Sequence, residues 1–134
     1  MAMGSFEMQI KAFSDKSEKN VKLACQKIAM EAFSRIIYRT PVDTGRLRAN
    51  WGCQVDSPSS GTTESTDKEG AATVSKATKV TTSWDATGSI YLTNNLQYAI
   101  PIEYCGSPVK SPQGMVRVTV AEMSGVAESI ARKI

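Results

Sequence analysis

Histidine is missing altogether from the 134 residues. Its absence removes the commonest general base at neutral pH, the commonest zinc ligand and the usual partner of a nucleophilic serine or cysteine, which argues against enzymes built on those groups. Cysteine is scarce and unpaired. Cys25, Cys53 and Cys105 are widely spaced and form no CxxC pair, which points to reduced thiols and not to a disulfide framework. No apolar run approaches the roughly eighteen residues of a membrane span, and the first residues lack a basic stretch followed by an apolar core. A soluble, unexported chain with no membrane partner is expected. Charge of one sign is also short, since a net +3 at pH 7 is too small to argue for nucleic acid by itself. The hydrophobic share of 41% and the charged share of 22% are ordinary for a globular protein. The chain is most simply one domain, 1–134, able to bury roughly two thirds of its unfolded surface without metal or disulfide staples.

The most informative stretch is Thr40-Pro41-Val42-Asp43-Thr44-Gly45-Arg46-Leu47-Arg48-Ala49-Asn50-Trp51. Pro41 cannot continue a preceding helix and disfavours helical geometry at Thr40. The turn at Asp43 to Gly45 needs a backbone conformation that glycine supplies, after which Arg46 and Arg48 face one way and Leu47 the other. The expectation is a rigid corner that presents charge to a partner.

Upstream, Phe6, Met8, Ile10 and Ala12 alternate with Glu7, Gln9 and Lys11, which predicts a first strand. Asp15 and Glu18 have the spacing of a helix cap and its reciprocal partner, with Ser14 and Ser17 as alternative caps. Val21, Ala24, Cys25, Ile28, Ala32 and Ile36 then form an apolar stripe, widened by Ala29, Phe33 and Ile37, so a long helix is predicted over 16–39. After the corner, 50–55 reads as a strand with Trp51, Cys53 and Val55 on one face. Residues 45–49 read equally as a helical turn capped by Thr44, and the sequence leaves both open.

The stretch 56–79 is rich in Ser, Thr, Gly and small charged residues, with hardly a large apolar side chain. It predicts a long flexible loop or hairpin tip that gains order on assembly. Residues 80–84 and 89–93 bracket Asp85-Ala86-Thr87-Gly88 as a hairpin, and 94–106 should be irregular but packed. Val116, Val120, Met123, Ala127, Ile130 and Ile134 follow four-three spacing and predict a second amphipathic helix over 113–132. The β-branched residues from Val116 to Val120 leave a strand open for its first turns. The sum is an α+β fold, with a long N-terminal helix and a C-terminal helix packed on a twisted antiparallel sheet of about four strands.

Asp43 and Glu103 are the carboxylates in the most structured surroundings, and paired carboxylates can do acid and base work. Without a cleft, structural roles are the better reading. Asp43 then serves as a turn residue accepting from the Gly45 or Arg46 amide, and Glu103 as the partner of an arginine. Lys110-Ser111, adjacent in a loop, lacks the geometry of a serine-lysine dyad. Arg46 and Arg48 with Arg35, Arg39 and the helix lysines could form a DNA-binding surface. The interleaved aromatics of a single-strand binder are absent, because Trp51, Trp84, Tyr98 and Tyr104 are dispersed. Arginine beside an aromatic anchor suits a protein interface, and subunit contact is the favoured role.

The block from Thr40 to Trp51, then Tyr91-Leu92-Thr93-Asn94-Asn95, Tyr98-Ala99, Ile102-Glu103-Tyr104 with Gly106, and the run from Ser111 to Arg117 resemble the small tail-component family of lambda-like siphophages. Members of that family act at the neck, where a filled head joins a tail. The likeness runs over residues 15–134, with 56–79 its least defined part and Cys105 interrupting the block at Tyr104 and Gly106. The resemblance implies a structural virion protein, built in the host cytoplasm and assembled as a ring of six subunits at the head-proximal end of the tail. It also implies other neck and tail proteins as partners, DNA passing through the ring without specific binding, and neither catalysis nor a cofactor. A tail terminator ring, which stops tube growth, is the alternative role. Under this reading the subunit contacts are Asp43, Arg46, Arg48, Trp51, Tyr98, Glu103 and Tyr104.

Overall fold

The structure is a computed structural model that describes residues 5–105 and 114–133. The Lys110-Ser111 pair, Gly106, the run 111–113 and the thiol of Cys105 lie outside the described residues, whereas Cys25 and Cys53 are half-buried free thiols.

Helix α1 spans Ser5–Arg39, about 52 Å at 1.5 Å per residue. Its first turns replace the strand expected at Phe6 to Ala12. Phe6, Ile10 and Phe13 also stand at four-three spacing, and Glu7, Met8, Gln9, Lys11 and Ala12 all favour helix, so the helical period overrides an alternation read over seven residues. The helix ends ahead of Pro41, where the Thr40 hydroxyl turns back to the Ile36 carbonyl at 2.8 Å. Ala29, Ile36 and Ile37 are buried as the stripe predicts, but Val21 near its start is 59% exposed.

Helix α2 (Arg46–Ala49) and strand β1 (Trp51–Val55) follow, so the two readings left open for the corner occur in succession. β1 pairs antiparallel with β2 (Ile90–Asn94), setting Trp51 opposite Asn94 and Val55 opposite Ile90. Among the described residues these two strands are the whole sheet, fewer than the four or so expected. The hairpin expected over Asp85 to Gly88 does not form, because residues 80–83 belong to a helix.

That helix, α3 (Ala71–Ser83), also replaces the outer part of the expected flexible stretch. Thr73, Ala77 and Thr81 recur every fourth residue and are 4%, 5% and 0% exposed. Their small side chains form the packed face of α3, yet only one of the three is apolar, so hydropathy gives no sign of a buried face. The Thr81 hydroxyl is satisfied within the helix, donating to the Ala77 carbonyl at 2.8 Å. α3 runs antiparallel to α1: Gly70 sits beside Ile37 and Tyr38, and Gln26 Nε2 donates to the Trp84 carbonyl at 2.6 Å.

Helix α4 (Ala99–Cys105) stands where an irregular segment was expected. Pro101 falls in its first turn, where a missing N–H leaves no helical bond unmade. Helix α5 (Val116–Arg132) is the predicted C-terminal helix, helical from its valine-rich start. It lies antiparallel on α1, with Arg39 Nη1 donating to Thr119 Oγ1 at 2.8 Å and Arg35 and Arg39 gripping Glu122 at 2.9 and 2.6 Å. Leu47, Leu96 and Ala99 form a buried cluster with Ile102 against it, joining the corner to α4. The fold is α+β, with long N- and C-terminal helices and a small antiparallel sheet.

Candidate assembly surface

The corner is locked by its backbone. Gly45 has φ 91°, and a Cβ there would lie 2.6 Å from the Lys68 amide nitrogen. Its carbonyl accepts from the amides of Ala49 at 3.1 Å and Asp67 at 2.9 Å. The Arg46 amide donates to Thr44 Oγ1 at 3.2 Å, so Thr44 does the work expected of Asp43, which is exposed. Arg48 turns inward. Its guanidinium donates to the carbonyls of Thr40 and Tyr38 at 3.1 and 2.7 Å, which the end of α1 leaves unpaired, and to the Lys68 carbonyl of the following loop at 2.6 Å. Trp51 Nε1 donates to Thr40 Oγ1 at 2.8 Å and closes the same corner.

The loop 56–70 is stitched to this corner by side chains. Asn50 holds Thr63 on both sides, accepting from its N–H at 2.8 Å and donating to its carbonyl at 3.0 Å. Arg46 donates to that carbonyl at 3.1 Å and pairs with Glu64 at 3.0 Å. Asn95 Nδ2 reaches the carbonyls of Ser59 and Gly61 at 3.0 and 3.1 Å. At the loop's end Asp67 takes the amides of Gly70 and Thr73 at 2.9 and 2.8 Å, capping α3. Burial would raise the Asp67 carboxyl, but bonds from Thr73 and Gly70 and the nearby Arg48 charge outweigh it and hold the group below the usual range.

Glu103 joins α4 to α5. It is 8% exposed and accepts from the amides of Met115, Val116 and Arg117 at 2.9, 2.6 and 3.1 Å. Arg117 Nε donates to the same carboxylate at 3.0 Å, its Nη2 donates to the Glu103 carbonyl at 2.5 Å, and its guanidinium lies 5.0 Å from the Tyr104 ring centroid. Burial acts to raise this carboxyl, but the three amides and the guanidinium prevail and keep it below the usual range. Gly114, at φ 85°, leaves room for that carboxylate, which a Cβ would strike.

An open groove of about 310 Å³ runs between the end of β2, α4 and the start of α5, lined by Trp51, Leu92, Ile100, Tyr104, Met115 and Val116 among others. A second hollow of about 360 Å³ brings Arg46 and Tyr98 together beside Thr62 and Leu96. Three of the residues singled out in the sequence, Trp51, Glu103 and Tyr104, therefore meet at one groove. Arg46 and Tyr98 meet at the other hollow, Asp43 stands on the corner apart from both, and Arg48 faces its own chain. Ile100 is 69% exposed, Tyr104 67% and Tyr98 42%, an outlay of large side chains unusual for one short helix and its approach. Asn50 and Arg117 were missed as organisers, although Asn50 lies inside the corner motif and Glu103 had called for an arginine.

Among the described residues no group of three or more His, Cys, Asp or Glu side chains could hold a metal ion, and no helix is long and apolar enough to cross a membrane. No curated protein and no solved structure matches the chain. One family model, described as "Bacteriophage HK97-gp10, putative tail-component", matches residues 4–127. With nearly its whole length matched, this chain belongs to the HK97-gp10-like family of bacteriophage tail components.

Proposed function

We propose that the chain is a structural virion protein that closes into a ring of six copies at the head-proximal end of a phage tail. There it completes the tail for joining to a filled head, with DNA passing through the ring unread. The observation that carries this reading is the tail-component family match over residues 4–127. The exposed Tyr98, Ile100 and Tyr104 support it, because aromatic and large apolar side chains are what subunit contacts bury. A closed ring also needs two unlike surfaces on each copy. The groove carrying Trp51, Glu103 and Tyr104 offers one of them. The loop held by Arg46 and Arg48, with Asp43 beside it, offers the other.

A phage lacking this gene tests the role. Electron microscopy should show filled heads and tails of normal length that remain unjoined, and the purified chain should form rings as wide as the tail tube. Overlong tubes would assign the chain to termination of tail growth instead. Normal virions from the deletion would overturn both roles.

A further inference from the structure

The two-stranded sheet leaves the outer edge of β2 open, and the bonding pattern shows which groups face outward. The Asp56 amide donates to the Ser89 carbonyl at 2.8 Å, marking a hydrogen-bonded pair. Such pairs alternate in an antiparallel ladder, so Tyr91 and Thr93 bond to β1 while Ile90, Leu92 and Asn94 turn their N–H and C=O groups away. No described backbone group meets them. An edge of this kind is a template for another strand. Here it also forms one wall of the apolar groove, through Leu92, Thr93 and Asn94. A chain laid along it would gain backbone bonds from the edge and apolar contact from alternate side chains.

The loop carries a matching segment. Asn50 engages both the N–H and the C=O of Thr63, which is what a neighbouring strand does from one side. The flanking residues Thr62 and Glu64 have no backbone partner among the described residues. Charge fits as well. The Glu64 side chain is 90% exposed, and Arg117 at the groove is 50% exposed, with Nε and Nη2 on Glu103 and Nη1 without a described partner.

We infer that Thr62–Glu64 of one copy adds as a strand to the outer edge of β2 in a second copy of this chain, with Glu64 of the donor facing Arg117 of the acceptor. This rests on the ring reading and deepens it. Each copy then has one donor and one acceptor, unlike surfaces that can repeat around a closed ring. It also gives the corner a purpose: Arg46 and Asn50 hold the donor segment in place before it meets a neighbour.

Two variants test the inference in mixtures. Because outward-bonding residues of two antiparallel strands stand opposite each other, Thr62→Cys and Leu92→Cys proteins, each made separately and then mixed under mild oxidation, should give a disulfide joining the two different copies, identified by the mass of the linked peptides. Directly opposed strand residues lie close enough for that bond. Rings seen by electron microscopy with no disulfide between the Thr62→Cys and Leu92→Cys copies would overturn strand addition and leave the ring reading standing. A chain that stays monomeric at high concentration would overturn both. Bonds found only within the Leu92→Cys sample would mean that two β2 edges pair with each other, which also overturns the donor assignment. Leu92→Pro removes an outward N–H that β1 does not use, and should keep the circular dichroism of the native fold while weakening assembly at least about tenfold. A folded Leu92→Pro protein that assembles like the wild type would overturn the inference as well.

Discussion

Gly45 and Arg48 show how single residues turn a flexible-looking motif into a fixed corner. At Gly45 the left-handed φ of 91° and the contact with the Lys68 amide act together, so a side chain meets backbone strain and backbone atoms at once. Neither Lys68 nor Asp67 can step aside cheaply, since both belong to the stretch that caps α3. Gly45→Ala should therefore lower the free energy of unfolding by about 2–3 kcal/mol, read from the urea midpoint. An unchanged midpoint would mean that the loop is not held against the corner. Arg48 was expected to point at a partner because it shares a face with Arg46. Two carbonyls left over at the end of α1, those of Tyr38 and Thr40, are nearer and use its fork, together with the Lys68 carbonyl of the loop. Sequence spacing gives the side of the chain a residue leaves from, but not which unpaired carbonyl waits there. Glu103 was legible in kind, as an arginine partner, because a carboxylate between apolar neighbours needs one. Its larger role, receiving three amides at the start of α5, depends on α4 and α5 meeting across a break in the described chain.

Among the elements, those with a large apolar stripe and clear punctuation were legible. The α1 body, its stop before Pro41, β2 and α5 all appear where periodicity and proline place them. Apart from the first turns of α1 and the short α4, the failures have one physical cause, which is that small or polar residues carry the packing. α3 buries Thr73, Ala77 and Thr81, so its contact face reads as loop. Likewise the loop 56–70 is held by Asn50, Asn95, Arg46 and Arg48 through backbone carbonyls, contacts that no hydropathy pattern records. If α3 owes its position to close approach, then volume and not polarity is the sensitive variable. Ala77→Leu should cost about 1–3 kcal/mol by overfilling that buried face, although leucine is the better match to a generic apolar core. Lys76→Ala, one residue away and exposed, should fall within about 0.5 kcal/mol of the parent. Equal thermal shifts for the two variants would remove the close-packing account of α3.

For the molecule as a whole, α1 is the spine on which α3 and α5 are mounted, and the two mountings differ in chemistry. α3 is held by a close face and by Gln26, whereas α5 is held by charge, through Arg35 and Arg39 on Glu122. Hydrogen bonds from Arg39 first and then Arg35, aided by their charges and opposed by a smaller effect of burial, lower the Glu122 carboxyl from its ordinary 4.5 to about 2. A carboxylate depressed on folding adds stability that is fully present above its unfolded value and is lost as pH falls through its folded value. Stability should thus be level above about pH 5, then decline between 4.5 and about 2 as Glu122 takes up a proton. Glu103 and Asp67, also held low, add to the same acid slope. Glu122→Gln should lower the urea midpoint at neutral pH modestly, because its two ion pairs are only half-buried, and should do so less in high salt. It should also flatten part of the acid decline and leave the share due to Glu103 and Asp67. Parallel pH profiles for the parent and Glu122→Gln would show that charge does not hold α5 on the spine. The Thr119 bond to Arg39 and the apolar face of α5 would then have to carry that contact alone.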